Sequence, residues 1–126
     1  GVYLGNALDF RSYSRADVVV ACDVLHHLRL ADRKRFVEYC FQSAKRVFIV
    51  CEEGGKATRE DSLLYAFNKW KYESFDRDGF NERKIEEMWT KEETKRQMEK
   101  GFSVIENSAL KGIKSIGKDL VAVYLK

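Results

Sequence analysis

The sequence predicts an α/β domain built on a mostly parallel sheet, and three observations predict it. Two short β-branched runs, residues 18–21 (VVVA) and 47–50 (VFIV), stand one helix apart, and polar residues gather directly after each. Between them, residues 32–44 carry Phe36, Val37, Cys40, Phe41 and Ala44 at the spacing of one helix face. A strand, helix and strand of this length form a βαβ unit, whose two strands run parallel. Further on, a capped helix and two more strand-like runs complete the pattern.

Taken in order, residues 1–9 (GVYLGNALD) read as a brief strand and then a turn, and residues 10–15 as a polar connection. Residues 18–21 lack alternation, which fits a strand buried on both faces. Cys22, Asp23 and Val24 lie at its carboxyl end, the side of a parallel sheet where ligands bind. On the helix 32–44, Arg33, Lys34, Arg35 and Glu38 fall opposite the apolar stripe, and Lys45 and Arg46 suit its negative end. Glu52 and Glu53 follow the second strand and rim the same side of the sheet; as neighbours on a strand they point to opposite faces.

Residues 56–89 are rich in aromatics, with Leu63, Leu64, Phe67 and Trp70 on one helical face. They read either as a helical insertion that packs on the core or as a lid over the site. Thr90 and Glu93 form a capping-box pattern for a helix over 90–100 that closes at Gly101. Residues 102–108 and 119–125 read as strands, and the basic stretch 111–118 (KGIKSIGK) as a solvated loop between them.

The chain has 126 residues, 44% of them hydrophobic, enough for one domain. Charged residues make up 34% with both signs mixed, and the net charge of +3 gives no basic stripe for nucleic acid. Cys22, Cys40 and Cys51 are odd in number and form no C-x-x-C, which argues against a disulfide framework or a zinc site. Free thiols suit a reducing, cytoplasmic setting. No apolar run reaches membrane-spanning length and no signal peptide opens the chain. His26 and His27 are adjacent and cannot share a helix face as a metal pair does, so no metal ligands are assigned. Either histidine can move a proton near neutral pH.

Residues 16–28 (ADVVVACDVLHHL) resemble the fourth-strand motif of class I S-adenosylmethionine-dependent methyltransferases. Gly5-Asn6-Ala7 resembles that family's adenine-contacting turn, RVFIVCEE (46–53) its fifth strand, residues 90–109 its next helix and sixth strand, and residues 119–126 its seventh. The order of these matches extends along nearly the whole chain. The resemblance implies a partial Rossmann-like methyltransferase fold, mostly parallel with an antiparallel C-terminal strand, over a single domain 1–126 with 56–89 inserted. It implies S-adenosyl-L-methionine as cofactor, held by Asn6, Ala7, Cys22, Asp23 and Val24, though Asn6 equally suits a plain turn. It places His27 towards the cleft as a catalytic residue, with His26 the second candidate. The implied activity is methyl transfer to a small-molecule acceptor.

The family's Gly-rich G-x-G-x-G turn does not occur among the 126 residues. The chain therefore resembles the last two thirds of such a domain, and the alternative function is a non-catalytic partner or scaffold module without cofactor binding. In either case the strand at 18–21 would expose an apolar edge, to be covered by a second copy of the chain or by a preceding segment.

Overall fold

The computed structural model describes residues 4–53 and 88–126. Along the chain come β1 (Ala16–Cys22), α1 (Leu30–Ser43), β2 (Ala44–Glu53), α2 (Lys91–Glu99), β3 (Leu110–Ile116) and β4 (Asp119–Leu125). The four strands form one sheet in the order β1-β2-β4-β3. β1 and β2 are parallel, in register from Val18 opposite Val47 to Cys22 opposite Cys51. β4 is antiparallel to both its neighbours, so β3 runs with β1 and β2. This is the mostly parallel sheet with an opposed C-terminal strand that the sequence predicts. The insertion expected at 56–89 lies outside the described residues except for its last two positions. Of the strand expected at 1–9, residues 4–9 join no sheet.

Strand pleating divides the sheet into two unlike faces. One carries Phe48, Val50, Ala122 and Tyr124, all fully buried, and meets Phe36, Val37 and Cys40 of α1, Met98 of α2, and Phe102. Tyr124 keeps its hydroxyl satisfied in this core by donating to the Met98 carbonyl at 2.5 Å. The other face carries Val18 and Val20, which are 49% and 60% exposed, with Ile116 and Leu125 exposed beyond them. The expectation that residues 18–21 are buried on both faces is therefore corrected. Among the described residues both helices pack on one side of the sheet, so only Val19 and Ala21 of this run face the core cluster. A second correction concerns Arg33, which is 2% exposed. It lies one turn before Phe36 and Val37 and extends their stripe instead of opposing it.

α2 begins as predicted, with Thr90 Oγ1 accepting from the Glu93 N–H at 3.1 Å. The Glu93 carboxylate binds Gln97 and Arg96 instead of returning to Thr90, so only the forward half of the capping box forms. Gly101 closes the helix in the left-handed region at φ 58°.

The strand expected at 102–108 does not form. Phe102 and Ser103 follow Gly101 into positive φ, and a left-handed run cannot extend as a strand. Phe102 and Ile105 instead plug into the core. The strand lies eight residues later, over the stretch expected to be a loop. Its register shifts between Leu110 and Gly112, and such a bulge breaks the alternation that would announce a strand. Ile116 pairs with Asp119 across a two-residue turn in which Gly117 takes φ 60°, the sign that primed hairpin turns require.

Candidate functional site

The carboxyl ends of β1 and β2 lie side by side, and the polar residues after each strand meet there. The chain leaves β1 through Asp23 at φ 54°, a conformation that Asp tolerates better than most residues. Asp23 is fastened to β2 at both ends: its N–H donates to the Cys51 carbonyl at 2.8 Å, and its Oδ1 accepts from the Glu53 N–H at 3.2 Å. A single 3₁₀ turn, Leu25–His27, follows and is anchored by the buried Leu25.

Glu52 points from β2 into the core side and is 3% exposed. A buried carboxylate needs partners for its oxygens, and the turn supplies them. Oε1 accepts from the Leu25 N–H at 2.6 Å, and Oε2 lies 2.9 Å from His26 Nδ1. An ionised carboxylate only accepts, so this bond places a proton on Nδ1 and leaves Nε2 of a neutral His26 with its lone pair.

Arg33 holds the turn from the helix side. Its Nε donates to the Leu25 carbonyl at 3.0 Å and to the Leu28 carbonyl at 3.2 Å. Its guanidinium carbon lies 4.6 Å over the Trp89 ring, which in turn stacks on Phe102. His26, Arg33, Glu52, Trp89 and Thr94 line a small cavity of about 20 Å³. Beyond Arg33 and Trp89 opens a pocket of about 290 Å³ bordered by Leu30, Gln97 and Phe102.

The sequence-predicted residues fall into two groups. Asn6, Ala7 and His27 line one groove of about 730 Å³ together with Leu28. In its wall, Asn6 Oδ1 accepts from the Leu8 N–H at 2.9 Å, the Asn6 N–H donates to Ser12 Oγ at 3.1 Å, and the Ala7 carbonyl accepts from the Tyr13 hydroxyl at 2.8 Å. His26 lies in the other group, with Glu52. The two imidazoles touch with ring centres 4.2 Å apart and planes tilted by 40°, His26 bordering the small cavity and His27 the groove. Cys22, Asp23 and Val24 stand at the end of β1 and just after it, and border neither cavity. Asp23, His26 and Glu52 also bring one possible ligand atom each within 4.8 Å of one another, a convergence that the adjacency of His26 and His27 does not suggest.

No family profile and no curated relative matches the chain. Solved structures do match. An O-methyltransferase family protein from Burkholderia thailandensis superposes with a TM-score of 0.58 at 16% identity, over 98% of this chain and 35% of its own. A candidate O-methyltransferase from Nostoc punctiforme PCC 73102 superposes at 0.57 and 17% identity, over 98% of this chain and 36% of its own. The chain has a class I S-adenosylmethionine-dependent methyltransferase-like fold. It spans about a third of the length of these neighbours.

Within this methyltransferase-like fold, β1, β2 and β4 fall on the stretches that the sequence resemblance gives to the fourth, fifth and seventh strands, whereas β3 lies just beyond the stretch 90–109 that holds the expected sixth. Sequence reasoning missed three members of the site. Glu52 reads as a rim residue, yet it is the partner of His26; its place on the parity of Phe48 and Val50 is the signal that turns it inward. Arg33 was read as solvent-facing, although helical spacing from Phe36 and Val37 could have placed it inward. Trp89 closes the cavity from the far side of the sequence, and no local pattern announces that.

Proposed function

We propose that this site takes part in methyl transfer from S-adenosyl-L-methionine to the hydroxyl of a small-molecule acceptor, with His26 as general base. The buried Glu52–His26 pair carries the proposal. A hydroxyl is a weak nucleophile until its proton is removed, and a positioned imidazole with a free Nε2 is suited to take it. Glu52 fixes the imidazole by its Nδ1–H and stabilises the cation that forms. The cavity beside His26 has roughly the volume that one water occupies as a probe, so it accommodates the reacting oxygen and not the body of the acceptor. O-Methyl transfer is also what the names of the two structural neighbours state for those proteins.

The groove with Asn6, Ala7 and His27 suits the cofactor. Its volume falls within the range of about 300–1,000 Å³ typical of small-molecule sites. Because the Asn6 carbonyl is held within its own turn, its amide is the group left to donate to a ring nitrogen of adenine. The strand end at Cys22, Asp23 and Val24 would hold the amino-acid end. S-Adenosyl-L-methionine supplies an electrophilic methyl group when bound. His27, in tilted contact with His26 at the groove's edge, would separate the cofactor side from the acceptor side.

Calorimetric titration with S-adenosylhomocysteine, followed by methyl-transfer assays on a panel of phenols and aliphatic alcohols, tests this reading. His26→Asn should lower kcat by about 10²–10⁴-fold with S-adenosylhomocysteine affinity unchanged, whereas Asn6→Ala should weaken that affinity. Activity insensitive to His26→Asn overturns the base assignment. Absence of any S-adenosylhomocysteine binding overturns the proposal for this chain.

A further inference from the structure

Cys22 and Cys51 are register partners, the last residues matched between β1 and β2. In a pleated pair, partners at the same register project from the same face, here the face that neither helix covers. Partners on adjacent strands stand about 4.8 Å apart at Cα, within the roughly 4.4–6.8 Å span of disulfides. Both thiols are free, Cys22 exposed and Cys51 half-buried, while Cys40 is buried on α1. The Cys51 thiol is pushed up to about 12, first by its burial and then by the hydrogen bond and charge of the Cys22 sulfur beside it. The Cys22 thiol also contacts Asp23 Oδ2 at 3.9 Å.

We propose that Cys22 and Cys51 form an oxidation site that closes to a reversible cross-strand disulfide when the chain meets a peroxide. Cys22, the exposed member, meets the oxidant. Its sulfur attacks one peroxide oxygen, the O–O bond breaks, and a sulfenic acid and one water result. The Cys51 sulfur then attacks the Cys22 sulfur and its proton leaves with the departing hydroxyl as a second water. The two thiols lose two electrons and the peroxide gains them. Disulfides hold their Cβ atoms within about 4.5 Å, so closure draws the two strand ends together. Such a bond is mildly strained and readily reduced. It would tie together the two strand ends whose next residues are Asp23 and Glu52, so it acts at the edge of the candidate site, while the inference itself rests on the register of the two thiols.

Trypsin separates the three cysteines into peptides 16–29, 36–45 and 47–56. The whole chain is exposed to hydrogen peroxide, blocked with N-ethylmaleimide, digested without reductant and weighed. The expected result is peptide 16–29 joined to 47–56 with the loss of two hydrogens, reversed by dithiothreitol. Free thiols should fall from three per chain to one, with Cys40 still alkylated. In Cys51→Ser, a sulfenic acid should persist on Cys22 and be trapped by dimedone. Four results overturn the proposal: Cys22 running on to the sulfinic acid while Cys51 stays alkylatable, 16–29 joined to a second 16–29, cross-links to 36–45 in equal measure, or three thiols intact at peroxide levels that oxidise free cysteine.

Discussion

Arg33 decides whether the 3₁₀ turn after β1 stays in place. A buried guanidinium is tolerable only where its donors are used and its plane is covered. Here Nε serves two carbonyls of the turn, and Trp89 lies over the plane. Methionine would fill the volume but give the Leu25 and Leu28 carbonyls no donor. Arg33→Met should therefore destabilise the chain by about 2–4 kcal/mol, read as a lower midpoint in urea with an unchanged slope. It should also loosen His26, whose backbone sits in the same turn. Part of this was open to a reader of the sequence alone. The motif around residues 16–28 points to the end of β1, beside which the candidate site lies, and strand parity could have turned Glu52 inward. What no reading of a single string contains is the partner across space, because Glu52 and His26 are 26 residues apart and meet only once β1 and β2 align.

At the scale of elements, the connection from α2 to β3 shows how a short stretch of backbone overrides side-chain pattern. Gly101, Phe102 and Ser103 all take positive φ, and the apolar residues that suggest a strand are anchors for a coiled connector. Gly101 has no room for a side chain. A Cβ there would come within 2.9 Å of Ile105 Cβ, at φ 58°. Gly112, in the bulge of β3, has nothing within 4 Å of such an atom and no positive φ. Gly101→Ala should cost about 1–3 kcal/mol, whereas Gly112→Ala should be close to neutral, and thermal melts of the two variants separate them. The elements that were legible are those with strong local signals: the valine run of β1, the stripe of α1, the Thr90 cap and the DLVAVYL of β4. β3 was not, since a bulge, two lysines and a glycine remove the alternation that marks a half-buried strand.

Among the described residues, the packed core lies on one side of the sheet. Phe48→Ala removes a fully buried ring at the centre of the core and should cost about 3–5 kcal/mol. Val20→Thr, on the uncovered face, should change stability by less than about 0.5 kcal/mol; equal costs by urea denaturation would show that face to be packed in solution. The fold class was legible because strand order follows from a parallel pair and a final hairpin. The one-sidedness was not, since valine runs look alike whether one face is covered or two. The placement of β4 bears on how the protein is made. The strand latest in the described sequence lies inside the sheet, pairing Val47 with Leu125 and Glu53 with Asp119, so the ladder at the sheet's centre closes across some seventy residues. A ribosome releases β1, α1 and β2 first, and until residues 119–125 emerge the inner edge of β2 has no partner. During that interval the nascent chain presents Phe48 and Val50 on an open strand, the kind of surface that chaperones shield and that other chains capture.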